Sequence, residues 1–451
     1  MIGKLLAQIK GLNISVPIPV GQLLSNIPYS TRPGLGKVYK AQRDAIISFQ
    51  KSTTEEKTSF VFGQFKKVFD YAYHNVPFYN WLYRREGLKP EDVRSFDDIK
   101  FVPIITKDDL LAVPLQERSS VSDKTLLVNT GGSSGKTLSF YMDPSRFGNE
   151  WAHIHYIWGH LGYKPSMLKL SFDGRVNLED AIKYDFIRHS IRYNIYQDPE
   201  IAGKMLIKLL QYRPIYFLHG YPSAIYNFAC YCESENTPLV NALRKSLMGV
   251  FLNSEFPSEN YRSKIESVFN VHTQSFYGHT ETCVMAYEGR QKFEFDVLQT
   301  YGFAEAVERG SNVHLIGTNY FNFNSPFIRY DTGDVIGNLG YYDKKLLSQF
   351  SIINGRVGDF IEDKVGNRIP LTGLIFGRHH ELFNVCKHVQ IGQKAPGRAT
   401  VFYVLKPNVT LEKPIREYFD DSKVLVDFSF RERKAPILTK AGKVNLLVNE
   451  I

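Results

Sequence analysis

The sequence predicts an α/β protein: a large N-terminal domain with parallel sheets and a β-rich part, then a small C-terminal α+β domain. Three observations predict it. Apolar runs alternate with helix-period stretches through the centre of the chain, the pattern of strands joined by crossover helices. From about Tyr287 to Ile336 the pattern turns to closely spaced strands. A chain of 451 residues is too long for one ordinary core.

The elements follow in order. Val61, Phe65, Val68 and Ala72 recur with helical period, so a helix is expected over Glu55–Tyr73. It should end near Asn75, because Pro77 restricts the residue before it. The segment from Phe101 to Lys107 reads as an extended lead into a short helix, and Thr125-Leu-Leu-Val-Asn129 as a strand. A helix over Phe147–Leu161 sets Trp151, Ile154, His155 and Trp158 on one face. Ile215–Leu218 precedes a helical stretch at Ser223–Glu233, and Leu247–Leu252 precedes another at Ser258–Phe269. Val271–Phe276 then leads into a glycine turn. Further turns are marked at Glu308-Arg-Gly310 and Phe323-Asn-Ser-Pro326. Beyond Gly355 lies a smaller basic region. The expected domains are 1–354 and 355–451.

The formal net charge is +9 and the pI near 9.0. That excess favours anionic partners such as nucleotides, coenzyme A or a membrane surface. It falls short of the dense basic stripe of a nucleic-acid binder, so no nucleic-acid partner is expected. No run approaches the ~20 apolar residues of a membrane span. No secretory leader is visible, which predicts a cytoplasmic protein. Met1 to Leu24 mixes apolar residues with lysines, which admits peripheral membrane contact; packing on the main domain is the plainer account. Cys230, Cys232, Cys283 and Cys386 lack zinc-knuckle spacing and read as buried thiols. His153 and His160 are seven residues apart and share a helix face, but no carboxylate pair accompanies them, so ordinary packing is expected.

The most informative stretch is Thr130, Gly131, Gly132, Ser133, Ser134, Gly135, Lys136 and Thr137. Glycine admits positive φ and close approach to a ligand. Free amides in such a turn form an anion site, and a lysine adds a point charge suited to phosphate. A Walker A loop requires a first glycine separated by four residues from Gly135-Lys136, which is position 130, and Thr130 stands there instead, with Gly131 one residue too late. Four segments follow: Asn253-Ser-Glu255 after an apolar strand, Tyr277-Gly-His-Thr-Glu281, Arg329-Tyr-Asp-Thr-Gly-Asp334 and Gly355-Arg-Val-Gly-Asp359. An aromatic ring can stack on a purine, Gly278 permits close approach, and Glu281 is a hard oxygen ligand suited to Mg²⁺. A carboxylate such as Asp334 accepts two hydrogen bonds from a ribose diol. Thr439-Lys-Ala-Gly-Lys443 adds a lysine after glycine near the end of the chain.

Taken in order, these segments resemble the adenylate-forming superfamily of acyl-CoA synthetases, adenylation domains and luciferases. The likeness is closest to phenylacetate–CoA ligase-like proteins, in the CapK-like branch linked to capsular polysaccharide synthesis. Asp70-Tyr-Ala-Tyr-His-Asn-Val-Pro-Phe-Tyr79, Leu88-Lys-Pro-Glu-Asp92, Val102-Pro-Ile-Ile-Thr-Lys-Asp108 and Gly220-Tyr-Pro-Ser223 carry it, from about residue 55 onward.

The resemblance implies a reaction in which a small-molecule carboxylate attacks ATP, giving an acyl-adenylate and pyrophosphate. Coenzyme A, a carrier thiol or an amino-sugar amine then takes the acyl group. It implies that Thr130 to Lys136 hold the β and γ phosphates, that Asn253, Ser254 and Glu255 border the adenine, and that Tyr277 stacks on it. Thr280 would meet the α-phosphate, Glu281 would help hold Mg²⁺, and Asp334 would bind the ribose with Arg356 nearby. Asp359 matches the hinge, and Lys443 the lysine that bridges carboxylate and α-phosphate, with Lys440 as its rival. His219 and Tyr221 match a region that lines the acyl pocket. Departures from the family pattern are Gly131 for serine, Thr137 for proline and Asn253-Ser254 for a small pair. The alternative is a non-catalytic nucleotide-binding relative that scaffolds polysaccharide synthesis.

Overall fold

A computed structural model of the chain describes residues 16–120, 125–130, 138–144, 146–173, 180–353, 360–376, 378, 380–406, 409–437 and 446–448. Its long N-terminal helix, Thr54–Asn75, starts at a capping box: Glu56 N–H donates to Thr53 Oγ1 at 3.3 Å and Thr53 N–H to Glu56 Oε2 at 2.8 Å. It stops where Val76 is extended before Pro77. Helices Ile18–Ser25 and Gly36–Lys51 precede it.

The strands are β1 (Leu126–Asn129), β2 (Ser139–Met142), β3 (Lys169–Asp173), β4 (Ile182–Asp185), β5 (Ser190–Asn194), β6 (Phe217–Gly220), β7 (Gly249–Leu252), β8 (His272–Gly278), β9 (Met285–Glu288) and β10 (Glu294–Val297). They continue as β11 (Gly302–Arg309), β12 (Asn312–Asn319), β13 (Tyr330–Tyr342), β14 (Leu346–Ile352), β15 (Phe360–Glu362), β16 (Arg368–Pro370), β17 (Cys386–Ala395), β18 (Arg398–Leu405), β19 (Asp427–Glu432) and β20 (Leu447–Val448).

Twelve strands form one sheet in the order β11-β12-β13-β14-β10-β9-β8-β7-β6-β3-β5-β4. From β8 to β5 neighbours are parallel, and helices Pro199–Leu210, Pro222–Glu235 and Glu259–Phe269 make the crossovers. The other half is antiparallel, with the two-residue hairpin Gly310-Ser311 at the expected turn and Gly310 at φ +64°.

Each half has its own core. Val61, Phe65 and Phe69 of the long helix pack under the antiparallel half against Phe303, Leu315 and Phe350. Leu170, Phe172, Leu218 and Val250 of the parallel half bury against Ile225, Phe228 and Ile265. On the reverse face Trp158, from helix Arg146–Gly159, stacks on Phe251 with ring centroids 4.7 Å apart. The C-terminal part is a separate four-stranded sheet, β19-β18-β17-β20, with its own cluster of Ile391, Val401 and Phe428. It meets the large part where the Arg378 guanidinium lies 4.4 Å over the Tyr196 ring. This is the α/β architecture expected.

One local expectation, for the cysteines, is adjusted, and the ordinary packing expected of His153 is what the structure has. Cys232, Cys283 and Cys386 are buried, but Cys230 is only half-buried. Two residues along a helix is more than half a turn, so Cys230 and Cys232 cannot share an inward face. His153 is buried and fully engaged, Nδ1 to Asn149 O at 2.9 Å and Nε2 to Thr300 Oγ1 at 2.8 Å. No helix among the described residues is long and apolar enough to cross a membrane.

Candidate active site

The site is built where β8 changes partners. His272–Ser275 run parallel to β7, and Phe276–Gly278 run antiparallel to β9. β7 ends at Leu252, opposite Ser275, and β8 runs on past it at the carboxyl edge of β6, β7 and β8, the edge at which open α/β sheets place their ligand crevice. The segments that follow these three strands contain Tyr221–Ser223, Asn253–Glu255 and Tyr277–Glu281.

The first two are tied together. Glu255 is buried, and its carboxylate accepts from the Ser223 backbone N–H and Oγ, each at 3.0 Å. Asn253 N–H donates to Gly220 O at 3.2 Å, which extends the β6–β7 pairing by one residue. Asn253 Oδ1 is buried without a partner among the described residues. Ser254 follows in the left-handed region at φ +69°, a conformation that costs a non-glycine residue on the order of 1 kcal/mol.

The third segment reaches across to the antiparallel half. Three residues of β12, His314 to Ile316, face five of β13, Asp331 to Val335. That bulge re-aims Asp334, whose Oδ2 accepts from Tyr277 Oη at 2.6 Å. Burial holds the Tyr277 hydroxyl well above its ordinary pKa, and the neighbouring Asp334 charge adds to it, so the phenol stays a donor. The edge of the Tyr277 ring meets Phe350 at 5.5 Å. A Cβ added at Gly278 would find its nearest neighbour, Val284 O, at 3.9 Å, so the protein's own packing leaves that position open.

Beyond Gly278 a tight turn, closed by Thr282 N–H to His279 O at 3.1 Å, carries Thr280 and delivers Glu281 inward. Glu281 is buried. Its carboxylate lies 3.2 Å from His279 Nδ1 and 3.3 Å from Tyr330 Oη. Burial pushes this carboxyl up, but the His279 hydrogen bond and charge, with the Lys107 charge, outweigh it and leave the pKa below the ordinary value. Glu281 is thus an ionised, inward-facing oxygen donor. His279 Nε2, like Asn253 Oδ1, is buried without a partner among the described residues.

Thr130 ends β1, and the β1–β2 hairpin closes with Thr130 N–H to Leu138 O and Leu138 N–H to Thr130 Oγ1, both 2.9 Å. Ser325 Oγ and Asn322 Nδ2 then fix the hairpin to the β-rich half through the backbone of Tyr141, at 3.0 and 2.9 Å. Gly131, Gly132, Ser133, Ser134, Gly135 and Lys136, between the hairpin strands, lie outside the described residues, as do Arg356, Asp359, Lys440 and Lys443. His219 and Tyr221 are half-buried at the end of β6, and the His219 ring packs against Trp158 at 4.9 Å.

Of the residues named from sequence, the structure bonds Tyr277 to Asp334 and sets Glu281 beside Tyr330, while Asn253 and Glu255 follow the neighbouring strand β7 and Glu255 is bonded to Ser223. Sequence reasoning passed over Ser223, His279 and Tyr330. His279 sits inside the quoted Tyr277–Glu281 stretch and Tyr330 inside Arg329–Asp334, so both were in view without a signal of their own.

The fold is that of the adenylate-forming ligases. The structure of 2-hydroxyisobutyryl-CoA ligase in its thioesterification state, in complex with 2-HIB-AMP and CoA, matches with a TM-score of 0.52 at 15% identity over 88% of this chain and 90% of that one. The same ligase in the postadenylation state with R3-HIB-AMP matches with a TM-score of 0.50 at 16% identity over 88% and 90%. Within that class the chain is a distant homologue of Protein CapK of Staphylococcus aureus, with 24% identity over 314 residues, 67% of this chain and 68% of that protein. No protein-family model matches the chain.

Proposed function

We propose that this protein joins a small organic carboxylate to AMP, releasing pyrophosphate, and then passes the acyl group to a thiol such as coenzyme A or to an amine. The observation that carries the reading is the double link between the Tyr277–Glu281 segment and β13, Tyr277 to Asp334 and Glu281 to Tyr330, which joins segments far apart in sequence. The solved relatives of the same fold hold acyl-AMP and CoA, which supports it.

In this reading Tyr277 lies against the purine and Asp334 accepts from the ribose hydroxyls. Asn253 Oδ1 has no donor among the described residues, and the exocyclic amine of adenine supplies a donor of the right kind. Glu255 acts one step back, holding the Asn253–Ser254 turn to Ser223. The ionised Glu281 carboxylate fits the single protein oxygen that a nucleotide-bound Mg²⁺ needs, and that ion would offset the triphosphate charge. Thr130 to Lys136 hold the outer phosphates, with Thr280 toward the α-phosphate. Residues 355–451 act as a lid that turns about Asp359 and brings Lys443 to the reacting carboxylate for the first step only. Positioning and fixed charge supply the rate. We place the enzyme in the cytoplasm and, on its likeness to CapK, in the preparation of surface polysaccharide precursors.

The test is acid-dependent exchange of labelled pyrophosphate into ATP across a panel of carboxylic acids, with and without coenzyme A. Exchange with at least one acid, lost in Lys443→Ala, is expected. Nucleotide binding with no exchange for any acid would instead make the protein a non-catalytic scaffold.

A further inference from the structure

The helix Ile18–Ser25 is packed back to front. It buries Gly21 and Ser25 and turns Gln22 inward, while Val20, Leu23 and Leu24 face out, followed by Ile27. Leu23 is 72% exposed, and Val20 and Ile27 are 47% and 46% exposed. A helix on the surface of a globular protein ordinarily does the reverse.

The inward contacts are specific enough to fix this orientation. Gln22 Nε2 donates to Ser166 O at 3.0 Å, and Gln22 Oε1 lies 3.1 Å from His189 Nε2. Gly21 sits against the Tyr184 phenol, and a Cβ there would occupy the space of that ring. Rolling the leucines inward would break the glutamine bonds and drive a side chain into Tyr184. Single exposed apolar residues are ordinary, but four in ten residues with no charge among them form a surface.

The surroundings are basic. The first 51 residues hold seven lysines and arginines against one aspartate, Asp44. Arg213 lines the same hollow as Gln22, beside Tyr212, which is 74% exposed. An outward apolar face in a basic stretch of sequence, with Arg213 in the hollow beside it, has the chemistry that lies in the headgroup layer of an anionic bilayer. Ser166 and His189 lie just before β3 and β5, so this face is at the amino ends of the parallel strands. The crevice is at their carboxyl ends.

We propose that Val20, Leu23, Leu24 and Ile27 dock this protein on an anionic lipid surface, with the crevice held away from the membrane. The proposal does not depend on the adenylating reaction. The full chain would be sedimented with vesicles of phosphatidylcholine alone and with vesicles containing roughly 30 mol% phosphatidylglycerol. Pelleting with the anionic vesicles is expected, weakening as salt is raised, and about tenfold weaker in Leu23→Glu/Leu24→Glu. If that variant melts early, Leu23→Ser/Leu24→Ser replaces it with the same expectation. No pelleting with anionic vesicles, or pelleting undiminished in a folded variant, would overturn the proposal. So would a dimer in light scattering that the same substitutions dissociate, because a second copy would then cover the face.

Discussion

Two buried charge clusters lie along β8, and they are completed differently. Toward the amino end of β8, Arg262 is wholly buried and every guanidinium nitrogen is engaged. It meets Glu288 at 2.5 and 2.9 Å, Thr273 Oγ1 at 2.8 Å and Thr273 O at 2.9 Å. Glu288 accepts in addition from the backbone N–H of Ser275 and of Phe293, both at 2.8 Å. At and beyond its carboxyl end, Tyr277, Asp334, His279, Glu281 and Tyr330 form a second cluster, in which His279 Nε2 has no partner among the described residues, as with Asn253 Oδ1 after β7. A saturated network has nothing left for a ligand and serves the fold. An unsaturated one bears a desolvation cost of about 1–3 kcal/mol per orphaned group until a ligand completes it.

Substitutions should separate the two. The largest effect is expected from Glu288→Ala, which strands a buried arginine and should lower unfolding free energy by about 3–5 kcal/mol. Denaturant melts would read it, and an unchanged midpoint would show that this cluster is not structural. Glu281→Gln should leave the midpoint near that of the parent yet reduce pyrophosphate exchange by about 10²–10³-fold. A loss of stability equal to that of Glu288→Ala would erase the distinction. Tyr277→Phe removes a hydrogen bond to a charged acceptor and should cost about 1.5–3 kcal/mol. That loss should fall more on nucleotide affinity, read by titration, than on melting.

The smallest effect concerns pH. Burial pushes the His153 imidazole down to about 4, against the opposing Asn149 hydrogen bond. The unfolded chain holds that proton up to about pH 6.5. The stability His153 contributes is therefore complete above that pH and is lost as pH falls toward about 4. His189, also pushed down to about 4 by burial, shares the same window. His153→Gln should flatten, without abolishing, the fall in melting temperature over this range, and an unaltered slope would assign it elsewhere.

The fold was legible where periodicity was strong and local. The helices at 54–75, 222–235 and 259–269, and the strands before the last two, lie within a few residues of expectation. β3, β4 and β5 gave no comparable signal. Ser190–Asn194 is buried at all five positions, so no inward–outward alternation marks it. The site was legible as short motifs in order, but not as a structure. The Tyr277–Asp334 bond needs both the change of partner in β8 and the bulge in β13, and each is set by contacts distant in sequence. Glu255 was read as a neighbour of adenine, and its partner Ser223 lies on a different crossover.

Because one strand serves both clusters, β8 cannot change length. Adding or deleting a single residue between 272 and 278 would turn the pleat inside out, carrying Tyr277 from Asp334 and Thr273 from Arg262 together. An added residue is borne more easily at a hairpin tip such as Gly310-Ser311, which carries neither cluster.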